Sequence, residues 1–275
     1  MEHNKQHIQS YLQRISDILL INGGFLDNPG LYAGEMGLAL FFSRYARFTK
    51  NELYLNYSYD LIEKVQSTIH QDTPINYNTG LAGIGSAIEY LVQNGFFEAD
   101  TDELLEDFDK RLFASHNLPY LSGDEIAGTG YYAIWRLSGN SGLKDPILKT
   151  ILPQIVHAME DWCTAQNSTH PTVSFLRDFV SSENLITIHA QSSIPVWYKL
   201  RCDKESDSLS AKSYDRLLEN FSKNDFLRNN NLNLGIQNGL AGLGIFLLTE
   251  LDGDDSWTAL FPNDFNTFKN ESLPL

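Results

Sequence analysis

The side chains able to do chemistry in this chain are scattered. Its two cysteines, Cys163 and Cys202, and its seven histidines are the candidate metal donors. His157 stands six residues before Cys163, which is not the i, i+4 spacing that puts two ligands on one helical face. His116, His170 and His189 fall in loops or at helix starts. The simpler reading is buried or surface cysteines with unrelated histidines. Carboxylates are more concentrated. Glu98, Asp100, Asp102, Glu103, Glu106, Asp107 and Asp109 crowd one helix start, where the helix dipole favours negative charge. They read as a solvated face on which a cationic peptide could dock. Their spacing is not that of a calcium loop, and neither is that of Asp252-Gly253-Asp254-Asp255, which reads as a turn after a helix. Asp124 and Glu125 form a separate acidic pair at the opening of an apolar segment, placed for ligand contact, for proton transfer or for helix capping.

The elements that position these groups repeat. Glycine motifs open apolar stretches at Gly34 (Gly34-Glu35-Met36-Gly37), Gly80 (Gly80-Leu81-Ala82-Gly83-Ile84-Gly85), Glu125 (Glu125-Ile126-Ala127-Gly128-Thr129-Gly130) and Gly239 (Gly239-Leu240-Ala241-Gly242-Leu243-Gly244). The first two steps are 46 and 45 residues, the length of a helical hairpin with its loops, which indicates a repeat architecture. Between the third and fourth copies lie 114 residues, room for one degenerate member. His189-Ala190-Gln191-Ser192 before Val196-Trp197-Tyr198-Lys199-Leu200 fits that place.

Periodicity predicts an all-α chain. Ile8, Tyr11, Leu12, Ile15, Ile18 and Leu19 mark an amphipathic helix over 5–21, ended by Gly23 and Gly24. A glycine-opened helix over 34–48 follows, then an amphipathic one carrying Tyr54, Tyr57, Leu61, Ile62, Val65 and Ile69, then a second glycine-opened helix over 80–95. The third pair spans 101–114 and 126–138. A long helix over 145–165 follows, which Pro153 should kink. Leu209–Phe221 and Gly239–Leu251 make the last pair. The stretch 166–186 reads as a candidate lid, insertion or short extra helix, and 252–275 as a C-terminal tail of one 1–275 domain.

Glycine-opened helices apolar all round must be enclosed by protein, while the amphipathic ones face water. Stacked hairpins then give an inner and an outer layer. A closed array would be an α/α toroid with the glycines at one end of its cavity and helix-start N–H groups pointing into it. The charge balance, 20 Lys and Arg against 35 Asp and Glu for a net −15, argues against nucleic-acid and anionic-membrane partners. No apolar run is long enough to span a bilayer. The polar start, Met1 to Gln13, does not read as a signal peptide, and two cysteines make no disulfide framework, so a cytoplasmic location is expected.

Glycine-opened helices of the form Gly-Leu-Ala-Gly-Ile-Gly and Gly-Leu-Ala-Gly-Leu-Gly resemble those of lanthionine synthetase C-like proteins, over about Gly30 to Leu251. The resemblance implies an α/α toroid of about five hairpins, fewer than the family's usual seven. It also implies a place in lanthipeptide or other ribosomal-peptide maturation. The family's cyclases hold zinc through a cysteine before one inner-helix glycine and a Cys-His pair before the next. Zinc there activates a peptide thiol. At those positions this chain has Thr187 with Ile188 and His189, and Gln237-Asn238 before Gly239. The family's acid/base histidine falls at Ala33, Thr79 or Asp124, and its arginine near Glu183.

Amides are poor substitutes for thiolate and imidazole at zinc. The expectation is therefore a protein with no cofactor, a pseudoenzyme that binds a peptide or precursor peptide, or another peptide-modifying protein. Tyr32, Asn78, Asp124, Thr187, His189, Gln237 and Asn238 would be its polar contacts at the cavity mouth. The alternatives are an enzyme using Asp124, Glu125 or His189 as acid/base, and a thioether cyclase with zinc relocated to Cys163 or Cys202.

Overall fold

A computed structural model describes residues 2–181, 233–237 and 239–262. The degenerate motif with Thr187 and His189, the Cys202 region, the expected helix at 209–221 and Asn238 lie outside the described residues. All regular structure among the described residues is helical, with no strand. They group into two compact units, one of 1–68 with 196–255 and one of 69–195 with 256–275, and each is described by itself.

In the first unit, α1 (Glu2–Asn22), α2 (Glu35–Thr49), α3 (Glu52–Thr68) and α11 (Leu240–Asp252) pack together. The amphipathic helices bury one stripe each: Ile8, Leu12, Ile15 and Leu19 on α1, and Tyr54, Leu61 and Val65 on α3. The glycine-opened helices behave differently. Every residue from Glu35 to Ala46 on α2 is buried, as is every residue from Leu240 to Leu248 on α11. The expected division into enclosed and one-faced helices therefore holds inside this unit. Gly253 ends α11 at φ 75, a left-handed cap that glycine adopts at no steric cost. Arg44 of α2 reaches the turn beyond it, donating to the Asp254 carbonyl at 2.6 Å.

The second unit contains α4 (Leu81–Gln93), α5 (Thr101–Leu104), α6 (Glu106–Leu112), α7 (Gly123–Ser138), α8 (Lys144–Pro146), α9 (Leu152–Gln166) and α10 (Pro171–Ser181). The single helix expected over 101–114 is broken at Leu105, wholly buried at φ −106, ψ 11. The kink expected at Pro153 takes the form of a π-helical turn, Ile147–Ile151, between α8 and α9. Proline offers no N–H to the preceding turn, and a wider turn just before it accommodates the break. Part of the 166–186 stretch is the helix α10. The stretch read as a tail does not hang free at its start. Ser256–Leu260 is a 3₁₀ turn that buries Trp257 and Leu260, and Ser256 shares a 2.9 Å hydrogen bond with the Tyr90 hydroxyl of α4.

Candidate functional site

The glycine motifs begin where a short strap of chain folds over a helix N-terminus. Gly34, Gly80 and Gly239 are the residues before α2, α4 and α11, with nearly the same extended backbone: φ −124, −116 and −123. In each copy the carbonyl seven residues earlier accepts from the first helical N–H: Glu35 to Asn28 at 2.8 Å, Leu81 to Pro74 at 2.9 Å, and Leu240 to Asn233 at 3.0 Å. Met36 to Pro29 and Ala241 to Leu234 continue the pattern. The sequence reading left these N–H groups pointing into a cavity. The straps instead satisfy them, because unpaired donors at an enclosed helix end are costly.

This strap also explains the glycines. A Cβ on Gly34 would lie 2.1 Å from the Asn28 carbonyl oxygen, and one on Gly80 2.2 Å from that of Pro74. A Cβ on Gly242 would lie 1.9 Å from the Ile236 carbonyl oxygen. The requirement is close approach, since these φ values suit any residue. The last glycine of the second, third and fourth motifs meets a neighbouring helix instead, Gly85 against Tyr132, Gly130 against Leu176 and Gly244 against Phe41.

The third copy is built otherwise. Ser122 caps α7 and Glu125 reaches back, its Oε2 accepting from the Ser122 N–H and hydroxyl at 2.8 Å each. This capping box engages one oxygen of Glu125, a candidate acid/base. Its Ser-x-x-Glu pattern was present in the sequence. Asp124 is exposed, and its Oδ1 stands 3.6 Å from Nε2 of His170, at the start of α10. The Nδ1 atom of that imidazole accepts from the Thr172 N–H at 3.4 Å, and its ring meets Trp162 edge-on. Asn78, on the strap before α4, has its Oδ1 enclosed with no hydrogen-bond donor among the described residues.

In the first unit Tyr32 and Gln237 come together, the Gln237 N–H donating to the Tyr32 carbonyl at 2.8 Å. The Gln237 carbonyl accepts from the Asn233 side chain at 2.8 Å. Tyr32 is buried. Glu35, beside it on α2, is a carboxylate at 1% exposure, paired at 2.5 Å with Lys64 of α3. Lys64 also donates to the carbonyls of Gly24 and Leu26. Burial raises the Glu35 carboxyl above its ordinary value, and Lys64 offsets part of that rise.

A second polar centre was not anticipated. Arg136 of α7 is wholly buried and donates to Glu89 of α4, to both oxygens of Asp109 of α6, and to Asp102 of α5. The Tyr132 hydroxyl donates to Asp109 at 2.6 Å, while Ser141 and the Gly142 N–H hold Asp102. Burial would weaken the Arg136 charge, but Asp109 and Glu89 raise its pKa above the ordinary value. Asp109, read as part of a solvated acidic face, is buried because it pairs with Arg136. Its carboxyl is raised by that burial. The signal was available: Glu89 is the single charge of α4 and Arg136 the single cation of α7, set among apolar residues where a charge requires partners.

An all-helical chain with glycine-opened, enclosed helices and polar residues gathered at the helix starts defines a class of helical-hairpin repeat proteins. The chain belongs to the lanthionine synthetase C-like family, whose model matches residues 26–175. No curated protein and no solved structure matches it. The family is linked to peptide substrates, and among the described residues no helix is long and apolar enough to cross a membrane.

Zinc is the metal this resemblance implies, and the residue at Gln237 does not fit it. The Gln237 backbone is tied into its strap at both polar atoms, and its side chain is a neutral amide where a thiolate would bind. Among the described residues, no three His, Cys, Asp or Glu side chains are grouped to hold a metal ion.

Proposed function

We propose that this chain is a zinc-independent, peptide-binding or accessory member of the lanthionine synthetase C-like family, acting in the maturation of a ribosomally made peptide. The observation that carries the reading is the amide Gln237 at the position where the family's cyclases place a zinc ligand. Tyr32, Asn78, Asp124, Thr187, His189, Gln237 and Asn238 are its proposed peptide contacts. The test is calorimetric titration of candidate precursor peptides into the intact chain, into Asp124→Ala and into Gln237→Ala. Affinity should fall about tenfold or more in at least one variant. Unchanged affinity in both would remove the helix starts as the site. Metal analysis of the purified chain belongs beside it, because stoichiometric zinc lost in Cys163→Ser or Cys202→Ser would establish a relocated cyclase centre.

One observation favours a second reading, an acid/base enzyme: Asp124 faces His170 across 3.6 Å. Against it, Nδ1 of that imidazole accepts a backbone N–H and Nε2 faces the carboxylate, so neither nitrogen is open to a substrate. Turnover of a candidate peptide that vanishes in Asp124→Ala or His189→Ala would favour this reading over the first.

A further inference from the structure

A cleft of about 500 Å³ opens in the second unit between α6 and the α8–π segment. It is separate from the helix-start residues, and nothing in it depends on whether those bind a peptide. Phe113, Leu143 and Ile151 line it with half-buried apolar surface, while Asp102, Glu106 and Asp109 supply carboxylates. The charges around it do not balance. Arg136 is shared by Glu89, Asp102 and Asp109. Lys110, the cation at the rim, is already paired with Glu106 at 2.8 Å and with Asp107 at 3.4 Å. The lining itself holds three carboxylates and one cation, Lys110, with Arg136 buried behind Asp102 and Asp109, so the surplus is negative where apolar surface is left partly uncovered.

We infer that this cleft docks a basic, partly apolar peptide segment. A lysine or arginine head sits at Asp102 and Glu106, with its methylene stem and an adjoining aliphatic side chain over Phe113, Leu143 and Ile151. Long cationic side chains suit such a site because the stem buries against carbon while the head keeps its charge paired. A bare metal ion is a poor occupant, since no three His, Cys, Asp or Glu side chains among the described residues are grouped to hold one and the apolar wall of Phe113, Leu143 and Ile151 offers no ligand. A second copy of this chain, at net −15, would be repelled.

The test uses a short synthetic peptide of alternating leucine and lysine, titrated into the full chain, with a leucine–glutamate peptide of equal length as its counterpart. Variants Glu106→Lys and Leu143→Lys place a cation at the rim and on the floor. Glu63→Lys, on an exposed face of α3, makes the same charge change elsewhere. The expected result is one-to-one binding of the lysine peptide only, weakened about tenfold or more by each cleft variant and unchanged by Glu63→Lys. Equal losses in all three variants would reduce the effect to a generally acidic surface and overturn the inference, as would unchanged binding in both cleft variants. Methyl NMR of the unsubstituted chain decides independently of how the variants fold. Peptide-induced shifts at Leu143 and Ile151 support the cleft, and shifts confined to other residues overturn it.

Discussion

Arg136 lies in the apolar, buried part of α7, and three carboxylates from three other helices keep its charge in place. Removing the cation leaves Glu89 and Asp109 buried without one. Arg136→Met should therefore cost about 3–5 kcal/mol, read by urea unfolding. A loss below about 1 kcal/mol would mean that the carboxylates find water instead. Glu35 carries a second consequence, in its pH dependence. Its folded-state pKa is raised, chiefly by burial, so the folded chain holds this proton more tightly than the unfolded one. Its contribution is full below the ordinary carboxylate range and is lost as pH rises through the folded value. Glu35→Gln removes that titration. The stability of the parent relative to this variant should decline as pH rises from the ordinary carboxylate range through the raised folded value; a difference that widens with pH would contradict the burial of Glu35.

Helix starts are the elements on which this chain's repeats depend. The straps before α2, α4 and α11 deliver carbonyls to helix N–H groups, and the motif glycines leave room for those carbonyls. Gly34→Ala should destabilise by about 1–3 kcal/mol through overpacking, or prevent folding. Gly24→Ala, whose Cβ would meet nothing within 4 Å, should lie within about 0.5 kcal/mol of the parent. Thermal or urea melts of the pair separate close approach from a general cost of losing glycine. At α7 the strap gives way to the Ser122–Glu125 box, and Ser122→Ala should cost about 1 kcal/mol. Much of this level was legible in advance. The helices over 5–21, 34–48 and 80–95 stand within three residues at each end of where periodicity put them, because apolar spacing and glycine stops are local signals. The break at Leu105 and the π turn before Pro153 were not legible at that detail, since each depends on what the helix packs against.

For the whole chain, the net charge of −15 sets a self-repulsion that salt relieves. The unfolding midpoint should rise between about 20 mM and about 150 mM sodium chloride, the range over which screening shortens to about 8 Å. A midpoint that falls would show that paired charges, such as those around Arg136, outweigh the surplus. Composition and repeat spacing were enough to determine an all-helical build of glycine-opened and amphipathic helices, and the resemblance that the family match bears out. Only the tertiary structure decided what the helix starts do with their N–H groups, which carboxylates surround Arg136 and that Asp124 faces His170. Those partners lie far apart in the chain, and packing alone selects which polar groups meet when water is excluded.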